Sequence, residues 1–328
     1  MQKIRRFFIL LSVVTLTTSA CMRLPNDSSG KSGSIENKMV EKPELPERLE
    51  LNDKGIPELD VYNTETDQVE EMDIETYVAG VVAGEMKNDW PMEALKAQSI
   101  LARTFVLKFC DDKTSAYDDA DISTDVREAQ AYAPENINDR IRQAVQETEG
   151  TVMSSNGDSV HAWFFAHAAG RTELPSVALD FKEADPSYLS SVESPDSDQA
   201  PESVQQWTAT FTKEEIKKAC ADAGVLIDTV DSVQIGEKGV SGRAKTLLIN
   251  GKTVSAPTFR IAIGANELKS TLLDGINVTN GEVEFHGRGF GHGVGMSQWG
   301  AYQLAEDGSS AEEIVQHYFQ GIDLVKLW

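Results

Sequence analysis

The sequence predicts an α+β fold, with mostly antiparallel strands and helices around a substrate cleft. Three observations lead there. Short apolar runs recur and are joined by turn dipeptides such as Asn156-Gly157 and Asn250-Gly251, which belong to hairpins. Segments with a 3.6-residue apolar period stand among them as helices. A chain of 328 residues with 40% hydrophobic content can bury a real core, and at this length about two domains, or one large one, are expected.

The chain opens on Lys3, Arg5 and Arg6, continues through an apolar stretch from Phe7 to Leu16, and reaches Ser19 and Ala20 before Cys21. That stretch is short for a membrane span, which takes about 20 residues, and residues 1–20 read as a signal sequence. The order Thr18-Ser19-Ala20-Cys21 is similar to a bacterial lipoprotein signal, in which the cysteine is lipidated. An ordinary signal beside a chance cysteine is the plainer alternative. Either way the body is expected outside the cytoplasm, and lipidation of Cys21 would hold it on the outer face of the cell membrane. Residues 21–54 are rich in Ser, Gly, Glu, Lys and Pro and read as a polar tether.

Residues 55–328 are the expected folded body. Strands are expected at 56–62 and 69–72, with Pro57 confining the first to a sheet edge or a strand start. Residues 74–83 form an apolar helix. Asp89-Trp90-Pro91 starts another that runs to about Lys108, with Leu95, Ala102, Phe105, Val106 and Phe109 as its stripe. Residues 111–136 form a long acidic loop, 138–148 a helix, and 151–153 and 160–165 strands around Asn156-Gly157. The stretch 170–205 has no period, and loops of that length are often functional. Residues 207–280 are a possible sub-domain. It would hold a strand at 208–211, a helix at 213–223 ended by Gly224, strands near 229–236, 244–249 and 252–260, and a helical stretch at 267–273. A strand at 282–286, a glycine run, and helices at 297–306 and 311–319 complete the chain.

The net charge of −23, from 30 Lys+Arg against 53 Asp+Glu, excludes a nucleic-acid binder, which needs clustered cations to neutralise phosphates. Attraction to an anionic wall polymer such as teichoic acid is disfavoured for the same reason. Cys110 and Cys220 either pair in an oxidising compartment or stay as two buried thiols. No Cys/His spacing suits zinc, so neither a metal nor a cofactor is expected.

Three features suggest chemistry. Glycine occupies every second position from Gly287 to Gly295. In an extended chain Arg288, Phe290, His292 and Val294 would share one face and leave the other bare. Each such glycine costs about 0.5–1 kcal/mol, so a ligand or another backbone is expected against that face. A glycine-rich turn packed on a helix is the alternative. The second feature is Glu85, which follows an apolar helix. A desolvated carboxyl there would have a raised pKa and suit a general acid, whereas an exposed glutamate is the ordinary case. Arg103, in an Ala-rich helix, either faces the same cleft or snorkels to water. The third is the pair His161 and His167. On a strand they would share a face about 20 Å apart, too far for one metal, and a structural or substrate-contacting histidine is expected instead.

Together these residues resemble the SpoIID/LytB family. The runs YVAGVVAGEM (77–86), WPMEALKAQ (90–98) and ART (102–104) are similar to its opening signature, and GRGFGHGVGMSQWGA (287–301) to its closing one. Between them AGRTE (169–173), PSYL (186–189) and SGR (241–243) fall in the family's order, so the resemblance spans about residues 56–328. Ser190 stands where some relatives carry lysine, and residues 111–132 lack the Cys and His with which certain members hold zinc.

The resemblance implies a lytic transglycosylase that cuts the bond from N-acetylmuramic acid to N-acetylglucosamine in peptide-free peptidoglycan strands, leaving 1,6-anhydro ends. Glu85 would be its general acid and base, and the family's cleft arginine and tyrosine fall on Arg103 and Tyr188. The alternative role in the family is a non-catalytic modifier that enhances an N-acetylmuramoyl-L-alanine amidase. Arg288, His167, His292 and Gln298 are further candidate sugar contacts, and Trp90, Trp163, Tyr188 and Trp299 offer faces for sugar rings. The implied partners are glycan strands, a cell-wall amidase or engulfment proteins, and the membrane through the anchor.

Overall fold

The computed structural model describes residues 41–328. The expected signal sequence, Cys21 and the tether up to residue 40 lie outside the described residues. The fold is α+β, and all its strand pairs are antiparallel except two.

In chain order the first elements are β1 (Glu58–Asn63), β2 (Gln68–Asp73), α1 (Ile74–Glu85), α2 (Met92–Asp112), β3 (Ile122–Ser123) and α3 (Asp139–Glu147). Next come β4 (Thr151–Ser155), β5 (Asp158–Ser159), β6 (Phe164–Phe165) and two four-residue helices, α4 (Pro175–Ala178) and α5 (Glu202–Gln205). They are followed by β7 (Gln206–Thr212), α6 (Lys213–Asp222), β8 (Val233–Ile235), β9 (Thr246–Ile249), β10 (Lys252–Ser255) and α7 (Ala256–Ile263). The last are β11 (Leu273–Val278), β12 (Glu282–Arg288), β13 (Met296–Ser297), α8 (Gln298–Glu306), α9 (Ala311–Tyr318) and β14 (Asp323–Lys326). Small sheets run β2-β1-β3, β10-β9-β8, β11-β12-β7, β13-β6 and β14-β4-β5, with β1/β3 and β13/β6 parallel.

The apolar residues gather into two clusters. One is built on α1 and α2 and receives α3, α8, α9 and β4. Helix α2 is buried on nearly every side, from Ala94 through Cys110, which explains why its apolar stripe is diluted by alanines: a central helix has no solvent face to mark. The other gathers residues of the chain from β7 through β12, around Phe211, Phe259 and Phe285. Cys110 belongs to the first and Cys220 to the second; both are unpaired, and burial pushes each thiol up to about 11.

Several expectations are corrected. The end of the tether is packed: Pro43, Pro46 and Leu49 are buried, three apart as in a polyproline-like chain with three residues per turn. Of the two places expected for Pro57 it takes the strand start, directly before β1, and not a sheet edge, because β1 is the middle strand of its sheet. The strand expected at 252–260 stops at Ser255, whose side chain accepts the Thr258 N–H and caps α7, with Pro257 in its first turn. In place of the helix expected at 267–273, residues 267–272 are turn and irregular chain and Leu273 opens β11. Residues 160–163 are irregular, the acidic loop contributes β3, and β14 went unforeseen. Beyond β12 the glycine run is no strand: Gly289, Gly291, Gly293 and Gly295 all have positive φ, between 75° and 102°. L side chains rarely adopt that conformation. What lies against the run is protein. A Cβ on Gly289 would stand 2.8 Å from the His167 carbonyl oxygen, and one on Gly295 would strike the Trp163 carbonyl.

Candidate active site

Helix α1 begins at Asp73, whose carboxylate accepts the Thr76 N–H at 2.9 Å. It is apolar nearly throughout, with Tyr77, Val78, Val81 and Val82 fully buried, and it ends at Glu85. Two glycines four residues apart leave part of its surface bare. Across Gly80 lies the Tyr132 ring, which a Cβ would enter, and the Ala133 N–H donates to the Gly80 carbonyl at 3.0 Å. A Cβ on Gly84 would stand 2.7 Å from the Ala131 carbonyl carbon. This close approach brings the Ala131 N–H within 2.8 Å of Glu85 Oε1.

The second carboxylate oxygen is met from the far end of the chain. Ser297 caps α8 by accepting the Gly300 N–H, and Gln298 is the first residue of that helix. The Gln298 amide donates to Glu85 Oε2 at 3.2 Å and also to the Glu85 backbone carbonyl at 3.2 Å. Next along the chain from these two residues, Trp90, Trp299 and Tyr302 pack with tilted and edge-on rings, centroids 4.6–5.3 Å apart. Asn88 donates to the Asn136 carbonyl, Asn138 to the Asn88 carbonyl and Arg140 to the Trp90 carbonyl, and together they tie down the link between α1 and α2. The half-buried Glu85 opens on a cavity of about 450 Å³, walled by Gly84, Met86, Lys87, Asn88, Asp89 and Asn136.

Desolvation raises the Glu85 pKa above the ordinary carboxyl value, and the two hydrogen bonds, which favour the ionised form, oppose it. A group in this setting can release a proton and recover it. Among the described residues no three His, Cys, Asp or Glu side chains converge as metal ligands.

The chain resembles known proteins over almost its whole length. A family model described as SpoIID, stage II sporulation protein, matches residues 62–154, and a domain of unknown function matches residues 171–295. Stage II sporulation protein D of Bacillus subtilis is 31% identical over 98% of this chain and 96% of its own length. The chain belongs to the SpoIID/LytB family. Stage II sporulation protein D of Bacillus amyloliquefaciens is 34% identical over 80% of this chain and 77% of its own length. The amidase enhancer of Bacillus subtilis is 28% identical over 75% of this chain, which spans 40% of that longer protein.

Of the other residues expected in the site of this SpoIID/LytB member, the structure brings only Gln298 to Glu85, and it touches the carboxylate itself. Arg103 is fully buried and bidentate to Glu75, at 2.9 and 2.5 Å, with a further bond to the Thr151 carbonyl at 2.9 Å. Glu75 lies ten residues before Glu85 on α1, about 15 Å along the axis, so Arg103 neither shares the cavity nor snorkels to water. Tyr188 lies beside Lys108 and His161 in a separate cavity of about 500 Å³, and its hydroxyl accepts the His161 N–H at 2.9 Å. Lys108 is about 24 Å along α2 from its first residue.

His167 is buried, its Nδ1 accepts the Ala169 N–H at 3.1 Å, and burial lowers its pKa. The His292 Nδ1 likewise accepts the Val294 N–H at 3.0 Å, and burial, with the charges of Arg260 and Arg243, pulls its pKa down to about 3. Each ring accepts a backbone N–H from two residues further on, within its own segment. Arg288 is an exposed partner of Asp274 at 3.0 Å. Trp90 and Trp299 are core, and Trp163 stacks on His161 with centroids 4.6 Å apart. What the motifs did not reveal is the Ala131 amide, because a backbone donor leaves no mark in residue type; only the spacing of Gly80 and Gly84 hinted at an approaching chain.

Proposed function

We propose that this protein is a lytic transglycosylase of peptidoglycan glycan strands, with Glu85 as its general acid and base. The observation that carries the reading is the Glu85 carboxyl, desolvated, gripped by Ala131 and Gln298, and facing an open cavity. Protonated Glu85 gives its proton to the oxygen that links N-acetylmuramic acid to the next N-acetylglucosamine. The C1–O bond breaks, and C1 takes on oxocarbenium character. The resulting carboxylate, stabilised by its two donors, takes the proton of the sugar's own C6 hydroxyl as that oxygen bonds to C1. A 1,6-anhydro end results, the proton is back on Glu85, and no water is consumed. One carboxyl therefore serves where hydrolysing glycosidases use two, and acid–base work of this kind contributes about 10²–10⁴-fold in rate.

The net charge of −23 suits strands stripped of their acidic stem peptides. The anchor at Cys21 would supply localisation to the outer membrane face that charge does not. No helix among the described residues is long and apolar enough to cross a membrane. The similarity to an amidase enhancer supports a second reading, in which the cavity holds glycan without cutting it and aids an amidase.

One incubation separates them. The full chain is mixed with denuded glycan strands, and the products are analysed by mass spectrometry. Anhydro-ended fragments that vanish with Glu85→Gln support cleavage. Intact strands, together with faster release of stem peptides by an added amidase, would establish the enhancer role instead.

A further inference from the structure

We propose that Asp196 is a positioning residue for Glu85: it fixes Ser297 and, through it, the Gln298 amide that holds the Glu85 carboxyl. This rests on the reading of Glu85 as the proton carrier. Asp196 lies in the long aperiodic stretch 170–205, and its side chain is 4% exposed. Four donors from three chain segments converge on its two oxygens. They are the N–H groups of Ala168 at 3.2 Å and Gly170 at 3.3 Å, the Ser194 hydroxyl at 3.1 Å, and the Ser297 hydroxyl. Three of these donors share Oδ1 and only Gly170 meets Oδ2, so an asparagine that kept its oxygen on the three would turn its NH₂ group against the Gly170 N–H, and the arrangement calls for a carboxylate.

A buried charge of this kind costs several kcal/mol of desolvation unless its partners compensate, and one of these partners, Ser297, starts the helix that carries Gln298. The Ser297 oxygen that donates to Asp196 also accepts the Gly300 N–H and sets the start of α8. The same first turn is fixed again by the Trp299 N–H on the Ala166 carbonyl at 3.0 Å and the Ser197 N–H on the Trp299 carbonyl at 3.2 Å. Gln298 lies between Ser297 and Trp299, so its reach to Glu85 is set from both sides. Direct ion pairing does not explain Asp196: His167 Nδ1 is 3.9 Å away and already accepts the Ala169 N–H. The other ionisable groups near Asp196 are Arg243 and Tyr318, and those around Glu85 are Lys87, Asp89 and Tyr77.

The test follows the Glu85 carboxyl itself, by ¹³C NMR titration of the full chain with labelled glutamate, the resonance being the one absent from Glu85→Gln. Losing a donor to the ionised form moves the midpoint up, so Asp196→Asn, Ser297→Ala and Gln298→Leu should each raise it, by about 1 pH unit. In a Gln298→Leu background Asp196→Asn should add nothing. An unchanged midpoint in Asp196→Asn alongside a lowered Tm would reduce Asp196 to a structural anchor and overturn the proposal. So would an equal added shift in the Gln298→Leu background. Should Asp196→Asn not fold, Ser297→Ala carries the same comparison. No substrate enters the titration. Raised midpoints in a protein that cuts no glycan would sink the enzymatic reading and leave the positioning intact, and cleavage with unmoved midpoints would do the reverse.

Discussion

At the scale of single residues, Glu85 and Arg103 part company, although the sequence places both in one cleft. Both lie in apolar helices, but Glu85 keeps one side on a cavity, whereas every donor Arg103 offers to Glu75 and Thr151 is consumed inside the protein. Because the folded pKa of Glu85 is raised, the native state holds its proton more tightly than the unfolded chain. Its favourable contribution is complete below the ordinary carboxyl pKa and is lost as pH rises through the folded value. Glu85→Gln should therefore abolish cleavage while its melting temperature, measured against the native protein, becomes relatively higher from pH 4 to pH 8. Cleavage by the native protein should fall on the alkaline side of a midpoint above the normal glutamate range. Arg103→Ala should behave oppositely, costing about 3 kcal/mol in denaturant unfolding by leaving the half-buried Glu75 without its cation and with only the Gly150 and Trp328 N–H donors, with kcat/KM per folded molecule little changed.

At the scale of elements, α1 is the piece whose sequence works against its own propensity. Gly80 and Gly84 cost a helix about 1 kcal/mol each relative to alanine, yet they let residues 131–133 lie on its backbone. Gly84→Ala should strengthen α1 as an isolated helix and still push Ala131 away. The expected outcome is faster hydrogen exchange at the Ala131 amide together with a higher Glu85 midpoint; an unaltered Ala131 amide would show that the loop yields without losing the bond. The spacing of these glycines is visible in the sequence, but the chain that fills them is 46 residues from Glu85 and nothing in its composition marks it. The glycine run at 289–295 gives the same lesson. An approaching backbone was one of two readings, and the positive φ angles, which remove the strand alternation, appear only in the fold.

At the scale of the whole molecule, two apolar clusters divide the labour. Glu85 and Gln298 stand on elements of the first, α1 and α8, and the Phe211–Phe285–Phe259 cluster of the second contributes no wall to the Glu85 cavity. Phe285→Ala should cost about 3–5 kcal/mol. By hydrogen exchange the loss of protection should appear first in residues 206–288 and only later in α1 and α2. Simultaneous loss in both regions would show the described body to unfold as a single cooperative unit. Beside Ala244 of the second cluster, the Arg243 guanidinium holds the segment 168–171, donating to the carbonyls of Arg171 and Ala168 at 2.9 and 3.0 Å, and leaves no space for a side chain at Gly293.

The sequence alone determined the α+β class, most helices and hairpins, the family, and Glu85 as the residue to watch, because these follow from local periodicity, turn chemistry and contiguous motifs. It left open which of the motif residues meet. Arg103, Tyr188, His167, His292 and Arg288 carry the residue types of a site yet are spread over ion pairs, a separate cavity and buried supports. Only tertiary packing decided that Gln298, 213 residues away, closes on Glu85 and that a backbone amide completes its hold. The physical reason is that hydrogen-bonding capacity belongs to a residue, whereas its partner is chosen by which surfaces the core brings into contact.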